Sequence, residues 1–99
     1  MLTLAKTKEK SALTVALEGR LDTNTAPQLD EAIKSDLPEL TSLVLDFEKL
    51  SYISSAGLRV LLSAQKIMNK QGEMKLIHVN EMINEIFEAT GFSDILTIE

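Results

Sequence analysis

The chain has 99 residues, of which 44% are hydrophobic and 25% are charged, so it fits one small folded domain and leaves no room for two. The lack of cysteine excludes disulfides and thiolate sites, and a single histidine argues against a dedicated zinc site. A net charge of −5, with no stripe of basic side chains, argues against direct nucleic-acid binding.

The first part of the chain predicts a β-hairpin. Leucines alternate with polar residues near 2–6, and apolar residues recur at every second position of 12–18, which is the period of a strand. The polar residues between these segments favour a turn. We expect Gly19 to end the second strand and residues 20–24 to form a loop.

The next segment predicts a helix followed by a strand. Thr25 and Gln28 have the capping-box spacing, and Pro27 lies in the first turn, where its missing N–H costs nothing. The helix should end before Pro38, because the residue before a proline disfavours helical geometry. The apolar run at 42–47 predicts a strand that is buried on both faces.

Two serines and two small residues, Ser54-Ser55-Ala56-Gly57, precede the second predicted helix. Serine is a favoured N-cap, so helix capping is the structural explanation for this stretch. Glycine costs up to about 1 kcal/mol relative to alanine inside a helix, so Gly57 invites a functional explanation, in which another molecule approaches closely. Gly72 is expected to terminate the helix.

The rest of the chain predicts a strand at 74–79, a third helix that Asn80 caps and Gly91 ends, and a short last strand at 95–98. The order β-β-α-β-α-β-α-(β) predicts a single small α/β domain with a mixed, mostly parallel sheet of four to five strands covered by helices. Loops at the carboxyl ends of the strands share one edge of the sheet, which places Asp22 near Ser54 and Ser55.

No constellation of residues points to catalysis. Ile53 replaces the leading glycine of a nucleophile elbow, and the only candidate histidine base, His78, has the position of a satisfied structural residue. No phosphate-cradling glycine loop is present, and no spacing of carboxylates indicates a metal cluster. We therefore predict that the protein is not an enzyme and has no cofactor. Without a signal-peptide layout or a membrane-spanning run, we expect a cytoplasmic protein without membrane insertion.

The sequence resembles the STAS family, whose stand-alone members are anti-sigma-factor antagonists. Residues Val15–Asp22, followed by Thr25-Ala26, look like the family's strand and aspartate loop. Leu43–Phe47 and Tyr52–Leu58 look like its central strand and phosphorylation loop, and Gly91-Phe92 also matches. The resemblance spans nearly the whole chain and implies one STAS domain over residues 1–99.

The resemblance implies a phospho-regulated partner switch. In that family the unphosphorylated protein binds a GHKL-type serine-protein kinase that doubles as an anti-sigma factor. The kinase phosphorylates a loop serine with ATP and magnesium, which ends the binding, and a PP2C-type phosphatase restores it. The alternatives are a constitutive STAS subunit of a transporter or signalling complex, which is not phosphorylated, and a small-molecule or nucleotide sensor.

The phosphorylation loop departs from the sporulation-type motifs Asp-Ser-Ser-Gly and Asp-Ser-Thr-Gly. Ser54 occupies the family's acidic position, and Ala56 before Gly57 cannot be phosphorylated. The match to the second motif makes Ser55 the expected phosphorylation site, with Ser54 as the second choice. The expected partner-binding residues are Asp22, Thr23, Asn24, Ser54, Ser55, Ala56, Gly57 and Arg59.

Overall fold

Four strands form one sheet in the spatial order β1-β2-β3-β4. In the computed structural model, which describes residues 1–99, the strands are β1 (Leu2–Glu9), β2 (Ala12–Leu21), β3 (Ser42–Ile53) and β4 (Glu73–Ile77). The helices are α1 (Ala26–Lys34), α2 (Ser55–Met68) and α3 (Glu81–Thr90), and single 3-10 turns lie at Leu37–Glu39 and Phe92–Asp94.

The sheet is mixed, as predicted. The first two strands pair antiparallel as a hairpin, whereas β3 pairs parallel with both β2 and β4. The predicted last strand is reduced to one parallel bridge between Leu76 and Ile98 at the outer edge of β4. The α/β class and the alternation of strands and helices are therefore confirmed, with four strands in the sheet.

Only one face of the sheet is buried, which corrects the prediction of a central strand buried on both faces. In β3, Leu43, Leu45 and Phe47 are buried, while the alternate residues Val44 and Asp46 are half-exposed. The alternation in burial is the period of a pleated strand with helices on one side. The opposite, uncovered face is called the open face below.

Two strands extend further than predicted. Gly19 does not end β2 but lies inside it, at a register shift against β3, with a φ of +111° that favours glycine. Likewise, β3 continues to Ile53, beyond the strand predicted at 42–47. The two strands therefore end side by side, with Leu21 paired to Ile53, and their loops begin at the same edge of the sheet.

The ends of α1 and α3 agree with the prediction, and the end of α2 differs. The side chain of Asn80 accepts a bond from the Ile83 N–H at 2.8 Å, and Gly91 ends α3 with a φ of +82°. As predicted, α1 ends before Pro38, at Lys34, whereas α2 ends at Met68, before the expected terminator Gly72. The backbone at Gly72 packs against Thr41, leaving no room for a β-carbon there.

Candidate functional site

The loops after β2 and β3 are joined by a backbone hydrogen bond. The Ser54 N–H donates to the Leu21 carbonyl at 2.9 Å, one residue beyond the last pair of the parallel ladder. Asp22 therefore follows directly on the residue that holds the serine stretch in place. This confirms the prediction that the aspartate loop and the serines share one edge of the sheet.

Asp22 shapes its own turn. Its Oδ1 accepts bonds from the N–H groups of Asn24 at 3.0 Å and Thr25 at 3.1 Å, and lies 3.2 Å from the Thr25 hydroxyl oxygen. Burial alone would raise the pKa of the Asp22 carboxyl, but the bonds from Thr25 and Asn24 together hold that pKa below its usual value. The carboxylate is therefore charged and its Oδ1 is occupied by the turn.

The predicted capping box is wrong. The Thr25 hydroxyl donates to the Arg20 carbonyl at 2.7 Å and accepts from the Asp22 N–H at 2.8 Å, so it closes the loop before α1 instead of capping it. The Gln28 amide donates to the Leu2 carbonyl at 2.9 Å. Both side chains therefore donate hydrogen bonds to backbone carbonyls of the hairpin, and these bonds connect the start of α1 to the hairpin instead of capping its first turn.

Gly57 is buried at the start of α2, packed against the ends of the two strands. A β-carbon at this position would lie 2.8 Å from Leu21 Cγ and 2.8 Å from Ile53 Cγ1. The small residue therefore serves the packing of the chain against itself. This corrects the expectation that Gly57 leaves space for another molecule.

The two serines have different environments. Ser54 is the N-cap residue by backbone geometry, with φ −108° and ψ 177°, and its carbonyl accepts the Leu58 N–H at 3.0 Å. Its hydroxyl, however, makes no capping bond and is buried without a partner. The adjacent Ser55 is the first residue of α2 and is exposed. The capping position was predicted correctly, but its side-chain hydrogen bond is absent.

A shallow groove of about 360 Å³, here called the helix-start groove, lies between the N-terminal parts of α1 and α2. It contains three of the predicted partner-binding residues and five that were not predicted to bind a partner. Its lining residues are Thr23, Ala26, Pro27, Asp30, Ala56, Arg59, Val60 and Ser63. On α2 these positions recur with helical spacing, which was the available signal for the missed ones. Of the other predicted residues, Asn24 is exposed and contributes its N–H to the Asp22 turn.

The candidate base His78 does not contact the serines. Its Nδ1 lies 2.9 Å from Asp46 Oδ1, on the open face of the sheet. The hydrogen bond with Asp46 raises the pKa of His78 above its ordinary value, as do the charges of Asp46 and Glu48, against the opposing effect of burial. This arrangement confirms His78 as a histidine with a partner and places it outside the helix-start groove.

Comparison with known protein families identifies the class to which this fold belongs. The family model of the STAS domain matches residues 3–99, so the chain belongs to the STAS domain family. None of its helices has the length and apolar character needed to cross a membrane.

Relatives cover almost the whole chain. BtrV of Bordetella bronchiseptica is 35% identical over 97 residues, covering 96% of this chain and 84% of the relative. The anti-sigma-B factor antagonist of Listeria monocytogenes is 31% identical over 96 residues, covering 95% and 84%.

The solved structures of SpoIIAA share the fold. Its unphosphorylated form superposes with a TM-score of 0.77 over 100% of this chain and 87% of that one, at 19% identity. The phosphorylated form from Bacillus gives a TM-score of 0.75 over 100% and 91%, also at 19% identity. At this identity the comparison establishes a common fold.

Proposed function

We propose that this protein is a cytoplasmic anti-sigma factor antagonist, without enzymatic activity of its own, that switches partners through phosphorylation of Ser55. The observation that carries the proposal is the exposure of Ser55 at the first position of α2, beside the helix-start groove. The Listeria monocytogenes relative, named an anti-sigma-B factor antagonist, and the SpoIIAA structures in both phosphorylation states support this function.

Accessibility selects the acceptor among the neighbouring positions. A kinase must bring the γ-phosphorus of ATP into line with a serine Oγ, which loses its proton as the new P–O bond forms and ADP leaves. The Ser54 Oγ is buried, so it reaches a kinase only after local rearrangement, and Ala56 has no hydroxyl. Ser55 needs no such movement, so we assign the modification to Ser55.

The position also explains how a phosphate switches binding. Phosphorylation adds about −1.5 to −2 charges, which the positive end of the α2 dipole tolerates in the free protein. Under a partner the same phosphate loses water close to the charged Asp22 turn. A hundredfold loss of affinity needs only about 2.7 kcal/mol, which a poorly solvated phosphate can supply.

The partner surface combines the helix-start groove with the two loops. Thr23, Ala56 and Arg59 line the groove, while Asp22 and Asn24 form the turn beside it. We propose that a GHKL-type serine-protein kinase, acting as the anti-sigma factor, docks here when Ser55 carries no phosphate. A PP2C-type phosphatase would regenerate this binding form.

Phosphosite mapping tests the assignment. The protein is incubated with its kinase and magnesium ATP, and the modified residue is located by mass spectrometry. We expect full labelling of the wild type and of Ser54→Ala, and loss of labelling in Ser55→Ala. Labelling of Ser54 in the wild type would overturn the assignment to Ser55. A kinase that binds the protein but labels neither serine would favour a constitutive STAS subunit and overturn the switch.

A further inference from the structure

Three metal-ligating side chains converge on the open face of the sheet, outside the helix-start groove. Asp46 and Glu48 project from β3 on either side of the buried Phe47, and His78 follows directly after β4. One ligand atom from each of the three lies within 4.8 Å of the other two. We propose that Asp46, Glu48 and His78 form a surface site for a divalent transition-metal ion, with Zn²⁺ as the best match.

The backbone brings the three groups together. Asp46 pairs with Ile77 in the β3–β4 ladder, so the residue after Ile77 emerges beside the Asp46 side chain. His78 has a φ of +58°, which turns the chain there and lets its ring face both carboxylates. The Glu48 N–H donates to Asp46 Oδ1 at 3.0 Å, which orients the first carboxylate.

The distances suit a small tetrahedral ion. His78 Nδ1 lies 2.9 Å from Asp46 Oδ1 and 3.7 Å from Glu48 Oε1. Bonds of about 2.0–2.1 Å to a tetrahedral zinc ion separate neighbouring ligand atoms by about 3.3–3.4 Å, which falls between the two observed values. The His78 and Glu48 side chains are 55% and 67% exposed, so water can fill the fourth position.

The donor set decides the class of ion. Mg²⁺ and Ca²⁺ prefer sites made only of oxygen atoms, whereas imidazole favours Zn²⁺, Ni²⁺ and Cu²⁺. In the metal-free protein a proton on Nδ1 bridges to Asp46, so a metal bond to Nδ1 requires that proton to leave: it passes to water from the imidazolium, or the neutral ring changes tautomer and carries its proton on Nε2. The sequence spacing indicated no metal cluster, because His78 lies far along the chain from Asp46 and Glu48 and joins them only through the pairing of β4 with β3.

Titration of the full chain with Zn²⁺ tests the site. Because His78 is the only histidine and there is no cysteine, the imidazole proton resonances in an NMR spectrum report on this site alone. At about pH 8, where protons compete less with the metal for the imidazole than at lower pH, we expect shifts of the His78 resonances that saturate at one zinc per chain. Calorimetry in a non-chelating buffer should give the same stoichiometry.

Matched variants distinguish Zn²⁺ binding at this site from nonspecific binding to other acidic side chains. Asparagine tolerates a positive φ, so His78→Asn keeps the turn while removing the ligand. We expect His78→Asn and Glu48→Gln each to weaken Zn²⁺ binding roughly tenfold or more, and Glu85→Gln on α3 to leave it unchanged. Absence of saturable binding, retention of affinity in His78→Asn, or equal affinity for Mg²⁺ would each overturn the proposal.

Discussion

Gly57 sits at a position where even one added methyl group has no room. Its substitution by alanine would place a β-carbon 2.8 Å from both Leu21 Cγ and Ile53 Cγ1, atoms near the backbone that cannot easily move. Overpacking of this kind costs about 1–3 kcal/mol, against a gain of up to about 1 kcal/mol in helix propensity. We expect Gly57→Ala to lower the free energy of unfolding by about 1–2 kcal/mol, measured by urea denaturation.

A double-mutant cycle gives the control for Gly57. In a Leu21→Ala background the obstructing leucine is absent, so Gly57→Ala should cost clearly less than in the wild type. An equal cost in both backgrounds would contradict the contribution of Leu21 and leave the Ile53 contact as the remaining source of the overpacking.

The site at residue scale was partly predictable from the sequence. The Ser54–Gly57 stretch predicted a helix start, and the serine at the capping position was identified, but the expectation that its small residues leave space for another molecule was wrong at Gly57. What the sequence could not supply is the neighbour of Gly57, because Leu21 comes from a distant strand. For the same reason it could not distinguish the buried Ser54 hydroxyl from the exposed Ser55.

An ion-pair cluster holds the edge strand β1 against the end of α1. Asp36 receives Lys6 Nζ at 3.0 Å and Lys8 Nζ at 3.1 Å. The hydrogen bonds from Lys6 and then Lys8 lower the pKa of Asp36 below its usual value. A carboxyl whose pKa is lower in the folded state stabilises the fold above its unfolded pKa, and loses that effect as the pH falls through the folded pKa.

Asp36→Asn should therefore destabilise the protein at neutral pH, with a difference from wild type that shrinks as the pH drops below about 4. Urea denaturation across this pH range at low salt measures it. Glu39→Gln is the matched control, since Glu39 is 75% exposed and lies 3.7 Å from Lys8, and it should have little effect. A destabilisation by Asp36→Asn that persists unchanged below pH 3 would contradict the electrostatic explanation.

The elements themselves were predicted better than their ends. Strand and helix periods depend on neighbouring residues, so each of the three helices and four strands was recognised. The ends depend on distant partners. Thr25 and Gln28 bond to Arg20 and Leu2 instead of forming a capping box. Similarly, β3 extends through Ser51–Ile53 because β2 offers a ladder there, and the open face arises because no helix lies over it.

At the scale of the whole molecule, the two proposed sites occupy different surfaces. The helix-start groove lies between α1 and α2 on the covered side, whereas the Asp46–Glu48–His78 cluster lies on the open face. Substitutions in one should leave the other intact. His78→Asn is therefore a suitable control for kinase binding, and failure of the metal proposal would leave the partner switch unaffected.

The switch itself should act on binding and not on folding. Ser55→Asp places negative charge at the positive end of the α2 dipole, so we expect the free energy of unfolding to stay level or rise by about 0.3–1 kcal/mol. The same variant should bind the kinase at least about tenfold more weakly, a cost of about 1.4 kcal/mol, while Ser55→Ala keeps its affinity. Calorimetric titration with the kinase and urea denaturation measure the two effects.

Asn69→Asp is the control that distinguishes an effect of charge at the start of α2 from an effect of the protein's net charge. It adds the same charge at the C-cap of the same helix, where the dipole is unfavourable, and an aspartate can still accept the bond that Gln65 donates to Asn69 at 2.8 Å. We expect Asn69→Asp to lower stability slightly and to leave kinase affinity unchanged. Equal kinase affinities for Ser55→Asp and Ser55→Ala would contradict the switch, because a charge that the partner does not sense at the start of α2 cannot release it.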